Sequence, residues 1–111
     1  MKFTAYLKEK MMDKILNLIS IATKAGKVKT GEFLTTKTLQ EGYGDLVIIA
    51  TDTSEKSTKR LAGIAENYEC KSIIYGTKAD LGRFTGKTEK SVICITDKGL
   101  ADAILKKLDN K

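Results

Sequence analysis

A chain of 111 residues, 41% hydrophobic and 31% charged, has enough apolar material for one packed domain over residues 1–111 and too much for a disordered segment. With no His, and with Cys only at the isolated positions Cys70 and Cys94, imidazole chemistry and zinc-ligand spacing are excluded. A formal net charge of +6 suits a polyanionic partner such as nucleic acid, while no apolar run approaches the roughly 20 residues of a membrane span.

The first ten residues place Phe3, Tyr6 and Leu7 at helical spacing ahead of Lys8-Glu9-Lys10. This stretch reads as either a helical extension or a tail, and its charges do not fit a signal peptide. From Asp13 to Ala25, Ile15, Leu18, Ile19 and Ala22 fall on one helical face, and Gly26 is placed to end that helix in a left-handed cap. Val28 to Thr30 suits a short edge strand. Gly31 then leads into a second helix to about Glu41, with Phe33, Leu34 and Leu39 assigned inward, closed by Gly42 and Gly44 around Tyr43. Leu46 to Ala50 is apolar without alternation, which means a strand buried on both faces. Asp52 and Glu55 stand at capping-box spacing before a helix with Leu61, Ile64, Ala65 and Tyr68 on its inner face. Ser72 to Tyr75 reads as a third strand ended by Gly76. Thr77 and Asp80 form another capping box, opening a short helix through Leu81 and Phe84 to Gly86. Lys87 to Lys90 is a polar loop with no apolar anchor. Val92 to Ile95 is a second doubly buried strand, and Asp97 caps a last helix with Leu100, Ile104, Leu105 and Leu108 inward, ahead of a fraying tail. This order predicts an α/β fold, a three-layer α/β/α sandwich around a small mixed, mainly parallel four-stranded sheet.

The residues that stand out chemically are Lys24 to Glu32. Two glycines bracket a basic segment, and the second opens a helix whose N-terminal N–H groups and dipole favour an anion. Lys24, Lys27, Lys29 and Lys37 add mobile positive charge there, so a phosphate backbone is the expected partner, against the plain alternative of a solvated basic rim. Phe33 is assigned to the core ahead of a base-stacking role. Arg83 and Lys87, flanking Gly86, extend the same edge. Asp52 and Asp97, at strand ends, would suit a magnesium site, but helix capping accounts for both. No phosphate-binding glycine loop, nucleophile elbow or paired-carboxylate motif is present. The two cysteines read as reduced, buried thiols of a cytoplasmic protein, with a disulfide between them as the lesser alternative.

Five pieces in order carry a family resemblance: Ala25-Gly26-Lys27-Val28; Gly31 opening a helix that bears Lys37; Val47-Ile48-Ile49-Ala50-Thr51-Asp52; Leu81-Gly82 with Gly86; and Val92-Ile93-Cys94-Ile95-Thr96-Asp97. From Met12 to Leu108 the chain resembles the kink-turn RNA-binding ribosomal protein family, which includes archaeal and eukaryotic large-subunit proteins and the box C/D RNA protein. Within that family it is similar to the small bacterial YlxQ-type branch. The resemblance implies a non-catalytic RNA-binding protein, without cofactor or metal, whose second helix begins with Gly-x-Asn-Glu-x-x-Lys. That motif reads sheared G·A pairs and holds adjacent phosphates. Gly31 and Lys37 occupy its Gly and Lys positions, but Phe33 and Leu34 stand at the Asn and Glu positions and have no groups for those hydrogen bonds. The loop that is small and apolar in the family is here Gly86-Lys87-Thr88-Glu89-Lys90.

The expected RNA-binding residues are therefore Lys27, Lys29, Thr30, Gly31, Glu32, Phe33, Lys37, Arg83 and Lys87, through phosphate contacts more than base readout. The expected partner is structured RNA, ribosomal or kink-turn-like, bound by a monomer on or off the ribosome and away from membranes. The alternative is a protein-interaction module of the same fold that has lost kink-turn readout.

Overall fold

The computed structural model describes residues 13–109, so the extension or tail expected over residues 1–10 and most of the expected frayed end lie outside the described residues. Helix α1 (Lys14–Lys24) starts at Asp13, whose carboxylate accepts from the Leu16 N–H at 3.0 Å. It buries Ile15, Leu16, Ile19 and Ala22. Its end follows from Gly26 at φ 72°. The Gly26 N–H donates to Thr23 O at 3.0 Å and the Lys27 N–H to Ala22 O at 2.8 Å, the paired bonds of a Schellman ending.

Strand β1 (Val28–Thr30), helix α2 (Glu32–Gln40), strand β2 (Leu46–Ile49), helix α3 (Glu55–Asn67), strand β3 (Ser72–Ile74), helix α4 (Lys78–Phe84), strand β4 (Val92–Ile95) and helix α5 (Lys98–Asp109) follow in order. The sheet order is β1-β4-β2-β3. β2 and β4 are buried at every position, as their unbroken apolar runs predict. Leu46, Ile48, Ile93 and Ile95 face α1, α4 and α5 in one cluster, while Val47, Ile49, Val92 and Cys94 face α2 and α3 in another. The expected three-layer sandwich with a mixed sheet is thus the observed one.

Strand direction departs from the expectation of a mainly parallel sheet. Among the described residues only β2 and β3 run parallel; β4 pairs antiparallel with both β1 and β2. Burial on both faces requires helices on both faces, and it is indifferent to the direction of the neighbouring strand. One consequence concerns Asp52 and Asp97. Because Ile49 pairs with Val92 and Leu46 with Ile95, these two carboxylates leave the sheet at opposite ends and cannot share a metal ion.

Several local expectations also change. Asp52 and Glu55 do not form a capping box; Ser54 caps α3, accepting from the Ser57 N–H. Asp52 Oδ1 instead accepts from the Lys78 N–H at 2.8 Å, satisfying an orphan donor of α4 from outside that helix. Tyr68, expected inward, is 41% exposed, because α3 ends at Asn67 and the chain turns there. The Thr77–Asp80 capping box and the Asp97 cap, with Leu100 N–H to Asp97 Oδ1 at 2.9 Å, form as the spacing predicts.

Two buried features have measurable consequences. Cys70 and Cys94 are free and buried, and burial raises both thiols, Cys94 to about 12, with Cys70 and Asp45 adding to the shift. A thiol reagent at pH 8 should therefore leave Cys94 untouched in the native protein and titrate both thiols in urea; rapid native labelling of both would contradict this burial. The sign for stability follows directly. Above the ordinary value of 9.0 the unfolded chain ionises before the folded one, so stability falls as pH rises from 9 toward 12.

Gly82 lies beneath the loop that precedes β4, and a Cβ there would sit 1.9 Å from Thr88 O. Gly82→Ala should cost about 1–3 kcal/mol through forced displacement, lowering Tm by roughly 5–15 °C for a domain of this size. Thermal unfolding followed by circular dichroism checks it.

Candidate nucleic-acid interface

Gly31 is both the end of β1 and the N-cap of α2. Its φ of 87° and ψ of 164° belong to a region that side-chain-bearing residues avoid. The Gly31 N–H donates to Val92 O at 2.9 Å, and its carbonyl accepts from the Thr35 N–H at 3.1 Å. Among the described residues no side chain caps α2 and, its two chain neighbours aside, no heavy atom lies within 4 Å of where a Gly31 Cβ would stand. The first-turn N–H groups of α2 therefore have no side-chain cap among the described residues and belong to exposed residues, at the end where the helix dipole favours an anion.

Beside them lies a group absent from the sequence-derived set. Arg60, on α3, makes an ion pair with Glu32 and also donates to Ser57 Oγ at 3.4 Å. Both partners of the pair are 46% exposed, so the pair itself contributes at most about 1 kcal/mol. Its value is positional. It holds a planar guanidinium, the side chain best shaped for bidentate phosphate contact, next to the α2 N-terminus. Arg60 lies 28 residues from Glu32 in the chain, and no periodicity links the two.

The outward face of α2 is the largest correction. Phe33, assigned to the core, is 78% exposed, and Leu34, also assigned inward, is 41% exposed. The helix buries Thr35, Thr38 and Leu39 instead, so its inner face is built from small polar side chains and one leucine. Phe33 lines a shallow groove with Glu32, Thr36, Lys37 and Gln40. The positions where the resembled motif carries Asn and Glu thus present apolar groups to solvent, with Lys37 one turn further on.

The loop before β4 reaches the same edge of the sheet. It is polar, as expected, and backbone contacts anchor it: Lys87 N–H to Gly82 O at 2.8 Å and Lys90 N–H to Lys78 O at 3.1 Å. At its end Ser91 O accepts from the Ala50 N–H at 2.8 Å, and Val92 O receives the Gly31 N–H. Gly31, between Thr30 and Glu32, therefore meets the end of this loop; Phe33 and Lys37 follow on α2, and Arg83 on α4 and Lys87 on the loop are exposed.

Lys27 and Lys29 are placed elsewhere. Lys27 precedes β1, its carbonyl accepting from the Thr96 N–H at 2.8 Å, about four residues or roughly 13 Å of extended chain from Gly31. Both lysines line a separate cleft with Thr38, Glu41 and Tyr43. Alternation along β1 turns Lys29 away from the face that carries Val28, toward the C-terminal half of α2.

The fold and this edge describe a small α/β/α domain with a helix N-terminus that lacks a side-chain cap beside a braced polar loop. The chain belongs to the ribosomal protein L7Ae/L30e/S12e/Gadd45 family, whose model matches residues 13–105. It is 30% identical over 92 residues to the RNA-binding protein YlxQ of Bacillus subtilis (strain 168), covering 83% of this chain and 92% of that one. It is 28% identical over 101 residues to the large ribosomal subunit protein eL8 of Thermoplasma volcanium, covering 90% and 84% respectively. Among solved structures, a protein of unknown function from Bacillus halodurans superposes with a TM-score of 0.81 at 31% identity, covering 86% of this chain and 97% of that one. Among the described residues, no helix is long and apolar enough to cross a membrane.

Gly31→Ala isolates the backbone requirement, since no neighbour is crowded. The substitution should cost about 1–3 kcal/mol from strain alone, read as a lower urea midpoint at unchanged m-value.

Proposed function

We propose that this protein is a non-catalytic RNA-binding protein of ribosomal type that docks structured RNA on the α2 edge, in the cytoplasm and as a monomer. The observation that carries the reading is the uncapped N-terminus of α2 at Gly31, open to solvent, with Arg60 beside it and Lys37 on the adjoining face. Phosphate oxygens accept from the first-turn N–H groups, and Arg60 and Lys37 neutralise the neighbouring charges. Arg83 and Lys87 extend the track along the braced loop.

Base recognition on this edge differs from the sheared G·A readout that the resemblance implies. Phe33 has no donor or acceptor, but its ring is free for stacking on an unpaired base, a sequence-tolerant contact worth about 1–3 kcal/mol. Thr36 and Gln40, in the same groove, supply polar groups for a base edge. Family membership and the YlxQ and eL8 relatives support an RNA partner; a true kink-turn as the ligand, and residence on the ribosome, are the narrower readings.

Titration of fluorescent structured RNAs, including a kink-turn hairpin, should give binding that weakens steeply with salt. Lys37→Glu should reduce affinity at least tenfold and make the log–log salt slope shallower by about one or more. Phe33→Ala should leave the fold intact, because the ring is exposed, and weaken binding about tenfold. Unchanged affinity in both variants would remove RNA from this edge. Retention of a protein partner from nuclease-treated lysate through Phe33 and Leu34 would then favour the interaction-module reading.

A further inference from the structure

The cleft that holds Lys27 and Lys29 lies outside the edge just described, and it carries an exposed aromatic side chain. Tyr43 is 69% exposed, at the end of α2 opposite Gly31. Its position is set by the backbone on both sides. The Tyr43 N–H donates to Thr38 O at 3.1 Å and the Gly42 N–H to Leu39 O at 3.1 Å, with Gly42 at φ 83°. Gly44 then presses against the core, where a Cβ would meet Leu39 Cδ2 at 2.5 Å and Cys94 Sγ at 3.2 Å. Gly44 thus holds the turn close against Leu39 and Cys94, and Tyr43 precedes it at the surface. Tyr43 lies there beside two ammonium groups, with Glu41 and Thr96 completing the cleft.

We infer that the Tyr43–Lys27–Lys29 cleft is a second RNA subsite, which takes an unpaired nucleotide flanking the structured element held at the α2 N-terminus. The base stacks on the Tyr43 ring, as bases do on exposed aromatic side chains in single-strand recognition. Lys27 and Lys29 neutralise the phosphates on either side of it. The Glu41 carboxylate repels phosphate, which keeps the backbone on the lysine side, and it can accept from a base amino group. Charge complementarity commits the cleft to RNA. Phe33 stands in the first turn of α2 and Tyr43 just past its end at Gln40, so the two are separated by about the length of a nine-residue helix, roughly 13 Å, and one RNA can reach both. This inference rests on the RNA-binding reading of the α2 edge and adds to it a footprint along the whole helix.

The test compares a structured hairpin RNA with the same hairpin carrying a short unpaired extension at one end or the other. The parent protein should bind one extended RNA more tightly than the bare hairpin. Tyr43→Ala should lose about tenfold in affinity for the extended RNA, leave the bare hairpin unchanged, and be restored by Tyr43→Phe, which keeps the ring. Lys27→Gln with Lys29→Gln should make the salt slope shallower by about 1.4 for the extended RNA only. Equal loss on both RNAs, no benefit from either extension, or failure of Tyr43→Phe to restore binding would overturn the subsite while leaving the α2-edge reading intact. If the parent bound neither RNA, both readings would fall together. All these substitutions are at exposed positions, and matching thermal unfolding curves would exclude a folding defect as the cause.

Discussion

The arrangement of this molecule depends on how β4 is held. It runs through the sheet antiparallel to both neighbours, pairing Ile93 with Thr30 on one side and with Ile48 on the other. Its first carbonyl, that of Val92, receives the Gly31 N–H. That bond draws the chain out of β1 and into α2 at the point where the loop before β4 also arrives. A central strand whose every side chain is buried cannot shift register by one residue without exchanging its two faces between two different cores. The edge that presents α2 is therefore fixed by the most deeply buried part of the fold.

Helix α2 has an unusual division of labour. Its buried face is Thr35, Thr38 and Leu39, while Phe33 and Leu34 are turned outward. Side chains of modest size on the inside let the helix lie close to the sheet. The larger apolar groups outside offer contact area that water does not favour. An exposed ring beside ammonium and guanidinium groups is a combination that nucleic acid can use on both counts, because bases bring flat apolar faces and phosphates bring charge. A protein surface able to cover the same patch would also have to supply acidic groups.

Glu32 and Arg60 show how a weak contact can matter to placement. An exposed ion pair adds little to stability, yet this one holds a five-donor guanidinium against the first residue of α2. Asp52 acts comparably at α4, where it satisfies the Lys78 N–H across a chain separation of 26 residues. In both cases the carboxylate is explained by a partner from another element, not by its own helix.

What could be read directly from the residues was whatever depends on near neighbours in the chain. The order of helices and strands, the Gly26 ending of α1, the Thr77–Asp80 box, the Asp97 cap and the two doubly buried strands all follow from local periodicity and capping chemistry within a few residues. Gly31 and Lys37 were legible in the same way, as a turn glycine before a helix and a cation one face along it. Tertiary structure alone decided the rest. It set β4 antiparallel, turned Phe33 and Leu34 to solvent, brought Arg60 to Glu32, and moved Lys27 and Lys29 away from Gly31 to the side of Tyr43. A helix of nine residues with a weakly apolar inner face does not announce which side it will bury, because the neighbouring sheet and α3 make that choice. Strand direction and the meeting of distant side chains depend on the path of the whole chain, and no window of adjacent residues carries that information.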